Sequence, residues 1–253
     1  MIVTSIDGHV HTALCRHASG TMEQYVESAM AKGLAGIVFL EHLECGINYF
    51  ERVWLTEEDF VEFRWEAEKL KEKYAGRIEV LCGVEVGYNP KAVDRILSFL
   101  DRQQWDRIGL SYHFFEADGR HINMFSRKQQ NLDAIQAVGP LRIFEGYYQG
   151  LIEAVSRIDG HVVCHLDAAL RHVQAEVNFD AADLIGELLA VMAKRRLALE
   201  LNAAGFAIRG EQFPTTRIVR QAAALKIPLW AGSDAHKPED VGRYFDRLEG
   251  LEA

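Results

Sequence analysis

Short runs of apolar, β-branched residues alternate with longer amphipathic stretches along this chain. The runs fall at 2–6, 36–40, 78–84, 107–112, 161–164, 197–201 and 228–232. They are continuously apolar rather than alternating, which predicts strands buried on both faces, as in a parallel sheet. Between them, Thr21 is placed to cap a helix ending at Gly33, and Thr56 one running to Tyr74 behind the acidic turn Glu57-Glu58-Asp59. Asn89-Pro90 predicts a further helix start. Other helices are expected over 127–137, 141–157, 180–195, 214–225 and 238–247, and an irregular loop over 41–55. Seven strand–helix repeats predict one domain spanning 1–253, an α/β barrel of the TIM type with seven strands. An open doubly wound sheet is the rival architecture. No glycine-rich phosphate loop of the dinucleotide or P-loop kind follows any strand.

Composition changes this picture mainly by exclusion. The net charge is −9 with no basic cluster, which argues against a nucleic-acid partner. No run of 18 apolar residues is present, so no membrane span is expected, and the start lacks a signal-peptide layout, so the expected location is the cytoplasm. Cys15, Cys45, Cys82 and Cys164 have no paired spacing and read as buried free thiols.

The histidines carry the chemistry. His9, His11 and His17 follow the first predicted strand, His42 the second and His113 the fourth. Glu85 ends the third and His165 the fifth, and Asp234 and His236 follow the seventh. Each alone is as well explained by an ordinary core or loop histidine, or by a solvated carboxylate. Together they occupy the C-terminal strand ends, which converge on one face of a parallel barrel. Imidazoles with two carboxylates and no thiolate suit Zn, Fe or Mn. Nine ligands are too many for one ion, so two or three divalent ions are expected, with Glu85 as the bridge. Asp234, Glu85 and His236 are the expected catalytic residues. Arg16, Arg171 and Arg209 are candidate clamps for a small phosphorylated substrate, because a guanidinium fork matches phosphate oxygens. His161 lies at the opposite strand end and reads as structural, while His121 and His172 lie in loops on the catalytic face.

Six segments, taken in order, resemble the motifs of the polymerase and histidinol phosphatase (PHP) superfamily. They are Asp7-Gly8-His9-Val10-His11-Thr12, Glu41-His42, Gly83-Val84-Glu85-Val86, Ser111-Tyr112-His113-Phe114, Cys164-His165-Leu166-Asp167 and Gly232-Ser233-Asp234-Ala235-His236. That resemblance implies a distorted seven-stranded barrel with a trinuclear site. It would place one ion on His9, His11, Glu85 and Asp234, a second on Glu85, His113 and His165, and a third between His17, His42 and His236. The segments Tyr147-Tyr148 and Leu199-Glu200-Leu201-Asn202-Ala203-Ala204-Gly205 resemble the histidinol-phosphate phosphatase branch. Hydrolysis of L-histidinol phosphate by a metal-bridging hydroxide is the activity this implies. Alternatives are a phosphatase or phosphodiesterase for nucleotides or other small phosphates, a metal-dependent C–N hydrolase, and a non-catalytic metal-binding module.

Overall fold

The first predicted strand is split in two, and the split closes the barrel. The structure, a computed structural model, describes residues 2–169, 171–172 and 182–251. Its chain begins with β1 (Ile2–Val3) and β2 (Ile6–Val10), then α1 (Met22–Ala31), β3 (Gly36–Glu44), α2 (Glu57–Lys73), β4 (Glu79–Gly87), α3 (Val93–Asp101) and β5 (Arg107–Ser111). A hairpin of β6 (Phe114–Ala117) and β7 (Arg120–Asn123) follows, then α4 (Gln129–Val138), α5 (Pro140–Arg157) and β8 (Val162–Val163). The chain continues with α6 (Ala182–Arg195), β9 (Ala198–Asn202), α7 (Gly205–Arg209), α8 (Thr216–Ala224), β10 (Leu229–Gly232) and α9 (Phe245–Glu249). The main sheet is parallel throughout, in the order β1-β10-β9-β8-β5-β4-β3-β2. β1 and β2 are consecutive pieces of one strand at its two ends, and Val10 bridges to Ala235 beyond β10. Counted as one strand, they make the seven-stranded barrel that the apolar runs predict.

Alternate residues along each strand explain where the site forms. On β3, Ile37 and Phe39 belong to the large core beneath the helices. Val38 and Leu40 instead form a second buried cluster with Val162, Cys164 and Ala198, flanked by Ile6, Leu81 and Trp230. Side chains alternate faces in a strand, so the inner row of β3 continues from Val38 and Leu40 to His42 and Glu44. The inner row of β4 runs from Leu81 and Gly83 to Glu85 and Gly87, in register with it. The barrel is thus plugged by apolar side chains at one end and lined with ligand-type side chains at the other.

Several expected boundaries shift for local reasons. α1 and α2 start with complete capping boxes, Thr21 with Gln24 and Thr56 with Asp59. Asn89 does not cap α3. Its Oδ1 accepts from the Lys91 amide at 3.0 Å and its amide donates to the Cys45 carbonyl at 2.9 Å, so the helix starts later, at Val93. The region expected as a loop over 41–55 is strand up to Glu44. The stretch 238–247 holds only a short 3-10 turn, Pro238–Asp240, before α9. Asp180 and Ala181, where a helix was expected to begin, lie outside the described residues. No helix among the described residues is long and apolar enough to cross a membrane.

Candidate metal centre and active site

Glu85 lies at the centre of the strand-end histidines, fully buried. Its Oε1 is 2.7 Å from His165 Nε2 and 3.2 Å from His113 Nε2, and it accepts from Ser111 Oγ at 2.5 Å. Its Oε2 is 2.8 Å from His42 Nδ1, 3.6 Å from His9 Nε2 and 3.9 Å from His11 Nε2. One oxygen therefore faces the fourth- and fifth-strand histidines and the other faces those of the first and second. Asp234 Oδ1 completes the first-strand group, 3.3 Å from His11 Nε2. His236 Nε2 meets His17 Nε2 at 2.9 Å, and the His11 and His42 rings stack at 4.2 Å. All nine predicted ligand residues thus lie in one cluster. Within it, His42 turns Nδ1 toward Glu85 and also offers a ligand atom within 4.8 Å of those of His11 and His236, while Cys15 Sγ comes within 4.0 Å of His17 Nε2.

The ring nitrogens behave as a ligand set should. His17 Nδ1 donates to the Cys15 carbonyl at 2.9 Å and His236 Nδ1 to the Asp234 carbonyl at 3.0 Å. His9 Nδ1 bonds Glu200 at 2.7 Å and His113 Nδ1 bonds Glu44 at 2.7 Å. In each neutral ring the outer nitrogen then holds the proton, and Nε2 offers its lone pair inward. Two such lone pairs facing each other at 2.9 Å, on His17 and His236, repel unless a cation lies beside them. Buried Glu85 Oε2 likewise has no hydrogen-bond donor of good geometry. These donors fit divalent transition metals.

Charge pulls the rings two ways. Against burial, which would lower them, nearby carboxylates raise His9, bring His11 to about 9 and bring His113 to about 10, while three other rings are lowered. Burial alone would raise the Glu85 and Asp234 carboxyls, but the surrounding imidazoles hold both well below the usual range. Burial, reinforced by the neighbouring His11 charge, pushes His236 down to about 3 and lowers His42 and His17. Those three rings stay neutral at neutral pH, the form that binds metal. Burial pushes the Cys15 and Cys164 thiols up to about 12, so they remain protonated neighbours.

Asp7, Glu41, Glu44 and Glu200 were not singled out as functional by sequence reasoning, and all four are buried beside the cluster. Asp7 accepts from the Ser233 amide at 2.9 Å and the Gly242 amide at 2.7 Å, which pins the loop bearing Asp234 to β2. Glu41 accepts from the Thr12 amide. A carboxylate inside an apolar strand run, such as Glu200 in Ala198–Asn202, was the available signal.

The cluster opens into a cavity of about 100 Å³, also lined by Val53, Phe114, Asn123, Phe125 and Arg171. Arg171 lies 5.3 Å from the Phe125 ring centroid, with a buried Nε that has no partner among the described residues. Arg209 and Arg16 do not line it. Arg209 pairs with Asp167 at 2.9 Å and with the Gln212 carbonyl, and packs 4.1 Å from the centroid of Phe213. Arg16 is exposed, at the end of a short turn. His161 accepts from the Ile108 amide at 2.8 Å at the far end of the barrel, and His121 accepts from the Asn48 amide on the hairpin.

Comparison with known proteins adds independent findings. The family model described as "PHP domain" matches residues 7–204, and one described as "PHP-associated" matches 216–249. A Deinococcus radiodurans protein named "Probable histidinol-phosphatase" is 32% identical over 97% of this chain and 92% of its own. A solved structure from Listeria monocytogenes superposes with a TM-score of 0.81 at 25% identity, covering 96% of this chain and 99% of that one. A histidinol phosphate phosphatase from Lactococcus lactis, complexed with zinc, L-histidinol and phosphate, shares the fold at a TM-score of 0.72 and 19% identity. It covers 100% of this chain and 95% of that one.

Proposed function

Because this chain belongs to the PHP domain family, we propose that it is a metal-dependent phosphatase that cleaves L-histidinol phosphate to L-histidinol and phosphate. The observation that carries this is the Glu85 carboxylate, set between two groups of imidazoles whose Nε2 atoms converge on it. The named relative and the zinc, histidinol and phosphate bound by the Lactococcus lactis protein support the substrate.

Two or three divalent ions, of Zn, Fe or Mn, would be held in the groups already described. His9, His11, Glu85 and Asp234 form one, Glu85, His113 and His165 the second, and His17, His42 and His236 the third. Such ions supply positive charge for the phosphoryl oxygens and acidify water from a pKa of 15.7 to ~7. The chain's own side chains do the rest. Arg171 binds phosphate oxygens from the cavity wall, where its buried Nε has no partner among the described residues. Phe114 and Phe125 exclude bulk water from the same wall. Asp234, also in the wall, is placed to relay the proton lost by the attacking water to the leaving alkoxide.

A phosphate-release screen on metal-replete enzyme tests the substrate. Histidinol phosphate should be turned over faster than nucleotides, sugar phosphates or a generic aryl phosphate. Turnover no faster than the aryl phosphate would leave only a broader phosphoesterase.

A further inference from the structure

Two glutamates on the barrel wall reach histidines that do not lie on the adjacent strand, and in each case the strand crossed carries a glycine. Glu44 ends β3, whereas His113 follows β5, and β4 lies between them. Along that line Glu44 is in register with Gly87 of β4, and Gly87 with Ser111 of β5. A Cβ on Gly87 would coincide with the Glu44 carboxylate, since both oxygens and the carboxyl carbon are its three nearest neighbours. The φ of Gly87 is not in the left-handed region, so its backbone gives no reason for glycine there. On the opposite side of the barrel, Glu200 of β9 reaches His9 of β2 across β10, and a Cβ on Gly232 of β10 would collide with Glu200 Oε1. In this second case the His9 Cβ also crowds the position, so Gly87 is the cleaner instance.

We propose that Gly87 is a positioning residue of the metal centre: it leaves open the passage through which Glu44 crosses β4 to orient His113. Glu44 Oε1 accepts the His113 Nδ1 proton at 2.7 Å. That bond keeps the His113 lone pair on Nε2, which faces Glu85. A methyl group at 87 acts by displacing the carboxylate, which frees the His113 ring to rotate or to change tautomer. The strand itself tolerates the methyl, because alanine adopts extended backbone without strain.

This inference rests on the proposed metal centre, and zinc affinity tests it without reference to turnover. The affinity is measured by competition with a chromogenic chelator for the parent chain, Gly87→Ala, Glu44→Ala and the double variant. Each single change should weaken binding ~10- to 100-fold, the range for loss of a supporting partner. The double variant should be no weaker than Glu44→Ala, because removing the carboxylate leaves room for the methyl. Losses that multiply in the double variant overturn the proposal, as does parent-like binding by either single variant. If Gly87→Ala alone does not fold, a folded double variant supports the proposal and an unfolded one overturns it. A parent chain that binds zinc yet spares histidinol phosphate sinks the phosphatase assignment and leaves this inference standing.

Discussion

Glu85→Gln is expected to release at least one ion and to lower turnover at least ~100-fold, the largest effect of any single conservative change. The substitution keeps size and removes the charge. Among the described residues, Glu85 is the one carboxylate whose two oxygens face different histidine groups, toward His113 and His165 on one side and His9, His11 and His42 on the other. An amide offers one weak oxygen ligand and turns an NH₂ donor toward the other group. Cations on both sides would then face each other without a shared negative charge. Because Glu85 sits on β4 between the well-packed Val84 and Val86, the barrel should survive the change. Circular dichroism and elemental analysis of the same preparation separate metal loss from unfolding. Full metal content with near-normal activity would show that Glu85 is not the bridge.

Arg171→Ala should lower kcat/KM for histidinol phosphate ~10- to 200-fold. This corresponds to ~1.5–3 kcal/mol for a hydrogen bond to a charged group. Metal content should not change, since a guanidinium is not a ligand. Of the three candidate arginines, Arg171 alone lines the cavity, and its Nε lacks a partner among the described residues, whereas Arg209 is already bound to Asp167 and Gln212. The loss should be small against a neutral phosphotriester, which offers no charged oxygen pair to the fork. Equal losses on both substrates would mean that Arg171 supports the metals or the fold through its packing on Phe125 and Phe213.

The barrel was legible because strands buried on both faces write continuous apolar runs, as Gly36–Leu40 and Leu229–Gly232 do. Its ligand set was legible because parallel strands deliver their C-terminal residues to one rim. The same rim hid other features. β3 runs on through Glu41-His42-Leu43-Glu44, but its polar inner residues serve the site and so resemble a loop. The β6–β7 hairpin was also missed, although Asp118-Gly119, both at positive φ, is a recognised hairpin turn signal. Glu44 and Glu200 escaped notice because their function lies in reaching across a neighbouring strand, a relation that exists only once register is known. The choice of Arg171 over Arg209 and Arg16 was likewise a matter of which guanidinium the fold brings to the cavity wall. Spacing carries no trace of that.

The proposed phosphatase activity depends on several ions held by these side chains. Elemental analysis of metal-replete protein, read beside phosphate release from histidinol phosphate before and after chelation, tests it most directly. Between two and three transition-metal ions per chain are expected, with activity lost on chelation and recovered when zinc, iron or manganese is restored. Full activity from protein carrying one ion or none would contradict it.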